Sequence, residues 1–262
     1  MMSYETPVET IFITGGGRGI GRAIALDLAQ TSSAALVLVS RTETCLAVAT
    51  ECNAIRAAAA RAIRCDLSVA GPQRDELFAA INAASGPIGL VHAAGTLGPS
   101  GPFAESSIEA CWSALEANLG ATLRLVHAAV PRMVRERAGR LVLFGGGGAA
   151  YGYPNFMSYG LSKVALVRFV ETLAMELGDD GPAITIIAPG ANETDMLSEV
   201  RRAGGMVKTT VSIDEPCRLV RRLLFEDARG LHGRFVHVRD TWSSESAREL
   251  SADHWKLRRV EK

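Results

Sequence analysis

A short apolar strand, TIFIT at Thr10–Thr14, runs without a break into the turn TGGGRGIG and then into the apolar-periodic stretch AIALDLA. Strand, glycine turn and helix in direct succession leave few architectures open. Gly15 permits the tight turn, while Gly19 and Gly21 let the backbone and the following helix close on an anion. Free N–H groups at a helix N-terminus then hold phosphate, with Ile20 among the residues that present them. A glycine turn that only packs a helix on a sheet would show the same letters, so the strand and helix on either side carry the argument.

The same alternation continues along the chain. Strands are predicted at Thr10–Thr14, Ala35–Ser40, Ala62–Cys65, Ile88–His92, Arg140–Phe144, Ala183–Ile187 and Arg234–Val238. Helices are predicted at Gly19–Gln30, Glu43–Ala58, Pro72–Ala84, Ser107–Arg137 (as two helices), Phe156–Leu177 and Asp214–Phe225. Continuous apolar strands separated by helices imply a parallel sheet covered on both faces, doubly wound by right-handed crossovers. The expectation is a single α/β domain over 1–262 with a Rossmann-type, seven-stranded parallel sheet.

The second strand ends LVLVSRTE, placing Ser40 and Arg41 where a carboxylate would accept from ribose hydroxyls. A carboxylate repels a 2′-phosphate, whereas Arg41 pairs with it. Arg18, inside the glycine turn, is expected to converge on the same phosphate. The cofactor reading is therefore NADP(H).

With these residues in view the chain resembles the short-chain dehydrogenase/reductase family over nearly its whole length. TGGGRGIG resembles that family's TGxxxGxG turn. CDLS puts Asp66 and Leu67 at its adenine-contacting position, and HAAG, with Ala94 and Gly95, stands where NNAG is usual. Asn118 in EANLG, Tyr159 and Lys163 in YGLSK, and PGANET resemble its catalytic Asn, its YxxxK and its PGxxxT. The resemblance implies catalytic Asn118, Tyr159 and Lys163. It also implies that Pro189, Gly190, Asn192 and Thr194 hold the nicotinamide end, that Tyr159 and Lys163 touch the cofactor, and that the chain forms a homodimer or homotetramer.

Two positions depart from the family pattern. His92 replaces the first Asn of NNAG and reads as a satisfied structural imidazole. The family's active-site Ser is replaced by Gly146, thirteen residues before Tyr159 and inside the run Gly145–Gly148. A free phenol titrates near about 10. Lys163, one helical turn on, is expected, together with the charge of oxidised nicotinamide, to lower that value and make Tyr159 a usable acid/base. The lost hydroxyl would be replaced by backbone N–H groups of the glycine run, by Tyr151, Tyr153 or Asn155, or by the substrate itself; Ser158 points away.

A lid is expected over 195–212, and the tail 240–262 reads as solvated or subunit-contacting. Lys plus Arg and Asp plus Glu both number 28, so no basic field calls for nucleic acid. No apolar run reaches membrane length, and five scattered Cys suit a reduced cytoplasmic protein with no metal site. The function expected is NADP(H)-dependent interconversion of a carbonyl and a secondary alcohol on a polar small molecule, of sugar or sugar-nucleotide type. The alternative is a non-catalytic NADP(H)-binding sensor or scaffold.

Overall fold

The computed structural model describes residues 8–179, 181–207 and 209–258. Seven strands form one wholly parallel sheet in the order β3-β2-β1-β4-β5-β6-β7. They are β1 Thr10–Thr14, β2 Ala35–Ser40, β3 Ala60–Arg64, β4 Ile88–His92, β5 Arg140–Phe144, β6 Ala183–Ala188 and β7 Phe235–His237. β1 pairs with both β2 and β4, so the winding reverses beside β1 and opens a crevice at the strands' C-terminal ends.

Helices cover both faces. On one lie α1 (Gly19–Thr31), α2 (Thr44–Ile55) and α9 (Asp214–Phe225), whose Ile24, Leu28, Val48, Val220 and Leu223 seal the first core. On the other lie α3 (Pro72–Ala83), α5 (Ala121–Glu136) and α7 (Met157–Leu177), with Leu77, Leu125, Leu166 and Val170 in the second. Each such side chain contributes roughly 1.5–3 kcal/mol on burial. This two-sided burial explains the continuous apolar strands. The remaining helices are α4 (Ile108–Leu115), α6 (Gly147–Ala150), α8 (Asp195–Arg202) and α10 (Ser244–Arg248).

Three expected boundaries need correction. β3 begins at Ala60 and ends at Arg64, because Leu36 N pairs with Ala59 O and Asn53 caps Ala60. α2 stops at Ile55: Arg56 turns extended, its side chain reaches Ala29 O and Ala34 O, and Ala58 is left-handed. β7 is only three residues long.

Most side chains of the tail are exposed, as expected, but its backbone is docked on the edge of the sheet. Phe235 N donates to Trp255 O (2.8 Å) and His237 N to Asp240 Oδ2 (2.7 Å), occupying the outward amides of the edge strand. Arg234 donates to Gly230 O, Leu250 O, Ser251 O and His254 O. Buried Glu171 accepts from Leu257 N and Arg258. Trp242 is buried beneath the Arg222 guanidinium. The last four residues of the tail, and residue 208 of the expected lid, lie outside the described residues. Among the described residues no helix is long and apolar enough to cross a membrane, and no three His, Cys, Asp or Glu gather as a metal site.

Candidate active site

The glycine turn is built by steric exclusion. Gly15 has φ +70°, and a Cβ there would lie 2.7 Å from Ala94 N. A Cβ on Gly21 would overlap Gly15 O. Gly19, at φ +52°, faces the methyl of Thr194, so the turn and the segment after β6 form opposite walls of the crevice. Arg18, expected to approach the same phosphate as Arg41, is engaged by another residue. It is ion-paired to Asp195 at the start of α8 across the crevice (3.3 Å), with both side chains mostly exposed. Arg41 is exposed at the end of β2, beside Ser40, whose Oγ donates to Thr42 O.

Further along the crevice, Asp66 is engaged by its own loop: Oδ1 accepts from Ser68 N and Ser68 Oγ. Leu67 is buried. Gly190 is left-handed (φ +70°), and Asn192 ties the segment down by donating Nδ2 to Pro189 O and Gly190 O. Its Oδ1 is a buried acceptor with no protein partner. Thr194 caps α8 by accepting from Leu197 N.

Between α4 and α5 the helix relaxes into one π turn, Glu116–Gly120, with Asn118 at its centre. Asn118 Oδ1 accepts from Thr96 N (2.8 Å), while Nδ2 donates to Thr96 O (2.9 Å) and Ser162 Oγ (3.1 Å). Ser162 in turn donates to Tyr159 O. Asn118 thus ties the loop after β4 to α7. A Cβ on Gly95 would lie 3.3 Å from Asn118 Oδ1 and 3.8 Å from Lys163 Nζ, which places that loop against both.

Tyr159 and Lys163 share one face of α7. Lys163 Nζ donates to Phe144 O (2.8 Å) and sits 5.5 Å above the Tyr159 ring. Burial lowers the Lys163 pKa to about 8. Burial, and then the nearby Tyr153, push Tyr159 up to about 12, so the expected lowering by Lys163 does not occur in the protein alone. Desolvation outweighs the neighbouring charge. At neutral pH Tyr159 carries its proton.

His92 is a satisfied structural imidazole, as expected. It is buried, with Nδ1 2.6 Å from Thr14 Oγ1 and Nε2 2.7 Å from Thr122 Oγ1. Thr122 donates to Asn118 O (2.5 Å), so His92 must donate through Nε2 and accept at Nδ1. Burial, and then the Lys163 charge, lower its pKa to about 3, which keeps it neutral. Thr122 was not foreseen. Its partner is thirty positions away, though its i+4 spacing from Asn118 is a signal for helix back-bonding.

Gly146 faces the reactive pair: a Cβ built there lies 3.0 Å from Tyr159 Oη, and its φ is +141°. No side-chain hydroxyl stands at that point. Leu97, Phe156 and Val200 form a small apolar wall with Tyr153, Tyr159, Ala203 and Val207 packed against it, bringing α8 over the site. The arginines of α8 are engaged elsewhere, Arg201 with Glu193 in a two-pronged pair and Arg202 with Ser198 O. Arg239 reaches Thr209 and Thr210.

Comparison with known proteins places this geometry. Residues 9–204 match the family model described as short chain dehydrogenase. The chain is 34% identical over 195 residues to the 3-oxoacyl-[acyl-carrier-protein] reductase FabG of Aggregatibacter actinomycetemcomitans, covering 73% of this chain and 79% of the relative. It is 37% identical over 199 residues to the short-chain reductase protein NovJ of Streptomyces niveus, covering 74% and 73%. A chain from Escherichia coli CFT073, solved in complex with NADPH, shares the fold at a TM-score of 0.80 and 24% identity, over 91% of this chain and all of that one.

Proposed function

The chain belongs to the short chain dehydrogenase family of oxidoreductases, and from that premise we propose that it is an NADPH-dependent carbonyl reductase acting on a ketoacyl-type small molecule. The observation that carries the reading is the assembly of Asn118, Tyr159 and Lys163 at the crevice beside β1, with Tyr159 protonated.

The residues fit a dinucleotide. Gly15, Gly19, Ile20 and Gly21 leave room for a pyrophosphate against backbone N–H groups, and Asn192 keeps a buried acceptor without a protein partner. Ser40 and Arg41, rather than a carboxylate, suit a 2′-phosphate, with Asp66, Leu67, Ala94 and Gly95 along the adenosine side and Pro189, Gly190 and Thr194 at the nicotinamide end. Arg18 joins the phosphate contacts only by releasing Asp195. The nicotinamide supplies hydride to the carbonyl carbon when bound. Tyr159 gives its proton to the developing alkoxide, and the Lys163 ammonium stabilises the phenolate left behind. Asn118 holds the catalytic helix and the loop after β4 in register for that transfer.

The substrate class moves from the sugar type first expected. A relative named for reduction of 3-oxoacyl groups and an apolar wall of Leu97, Phe156 and Val200 both suit an acyl chain. Residues 195–212 form the lid over that chain. Exposed Ile108, Trp112 and Leu161 support assembly as a homodimer or homotetramer. The sensor reading is disfavoured, because a pure binder has no use for the intact proton-transfer group.

The test is NADPH oxidation with a panel of β-keto esters and thioesters alongside keto-sugars. Tyr159→Phe should lower turnover at least about 10²-fold while NADPH binding survives. A wild-type protein that binds NADPH and reduces nothing in the panel returns the weight to the sensor.

A further inference from the structure

Resting on the reductase reading, we infer that the Tyr153 hydroxyl holds the substrate oxygen beside Tyr159, in the place left by the absent side chain at Gly146.

Among the candidate side chains the geometry favours one. Tyr151 is 80% exposed. Asn155 is exposed and left-handed, with its carbonyl committed to Gly101 N. Ser158 is buried, and its Oγ lies against Gly98. The Thr96 hydroxyl accepts from Gly98 N, and its backbone is taken by Asn118.

Tyr153 differs from all of these. Its ring is half-buried and stacks on Phe156 at 4.6 Å between centroids, with planes 24° apart. Phe156 is almost fully buried, so the platform is rigid. Tyr153 packs on the same small apolar cluster as Tyr159 and the lid helix α8. Its phenol lies near enough to raise the Tyr159 pKa, and its own is raised by burial, which keeps it a donor at alkaline pH.

The glycine run then has a purpose. A phenol reaches farther than a hydroxymethyl group, so the oxygen it holds needs clear space at the end of β5. Gly147 would meet nothing within 4 Å, and Gly146 presents only hydrogens towards Tyr159. A preorganised donor aimed at developing charge contributes roughly 10²–10³ in rate. Tyr153 keeps its own proton throughout; the proton transferred is that of Tyr159.

Tyr153→Phe tests the assignment, since it removes one oxygen and leaves the stacking on Phe156. The expected result is a fall in kcat of about 10²-fold, with NADPH Kd and Tm unchanged and Tyr151→Phe at the wild-type rate. A Tyr153→Phe enzyme as fast as wild type, beside an inactive Tyr159→Phe, overturns the inference and leaves the reductase reading standing. A matching loss of Tm also counts against it, because packing rather than the hydroxyl would then be at work. A wild type inactive on every carbonyl overturns both.

Discussion

Two glycine-rich turns leave the sheet at its C-terminal edge, one after β1 and one after β5, and their glycines are there for opposite reasons. After β1 the backbone is crowded: side chains at Gly15 and Gly21 would run into Ala94 N and Gly15 O. After β5 Gly145 meets Phe235 and Gly148 meets Gly160 and Tyr159, but the space is open at Gly147, and the constraint at Gly146 is its φ of +141° and the nearby Tyr159 hydroxyl. Crowding against the protein's own backbone fixes the path of the first turn, while the opening in the second leaves room beside Tyr159. The same composition therefore encodes a cradle at one strand end and a clearing at the other.

The largest expected effect comes from breaking the cradle. Gly21→Ala puts a methyl group into backbone that cannot yield, and should abolish measurable NADPH binding by calorimetry and lower Tm sharply. Overpacking of this kind costs about 1–3 kcal/mol or more.

Gly146→Ser separates the two turns, because it should spare NADPH affinity. A side chain at that φ is strained by about 1–3 kcal/mol, so Tm falls. The new hydroxyl also crowds Tyr159, so kcat/KM on the native substrate falls too. A stable variant with raised activity would show that nothing stands in for the missing serine.

Arg41→Ala probes the cradle at its outer end, where contacts are solvated. It should weaken NADPH by about tenfold, in line with one charged hydrogen bond, and leave NADH unchanged. Equal losses for both cofactors would remove the 2′-phosphate assignment.

Gly147→Ala should be the mildest. With open space around it, folding stability should stay within about 0.5 kcal/mol of wild type in denaturant unfolding, as for ordinary surface changes. A bulky residue there, such as Gly147→Leu, should raise KM for the longer acyl substrates before it touches stability.

The crevice and its walls were legible because strand, glycine turn and helix each leave a local pattern. β3 was misplaced because ARAIR alternates charged and apolar residues on a half-buried strand, while the alanines before it read as helix. Tertiary contacts of Arg56 override that propensity. Asn118 could be named, but its π turn could not, since no residue type encodes one. The His92–Thr122 link joins elements distant in sequence. Tyr151, Tyr153 and Asn155 were indistinguishable as letters and differ only in what each packs against.

Arg234 holds the tail entirely by main-chain oxygens, those of Leu250, Ser251 and His254. Such a grip does not read side chains. At Leu250, Ser251 and His254 the sequence can drift without being let go, provided the path of the backbone persists, whereas Trp242 and Arg258 are held by their own side chains. Over that middle stretch the specificity of the attachment is concentrated on the receiving side, so a single change at Arg234 would loosen what several changes at those three positions would not.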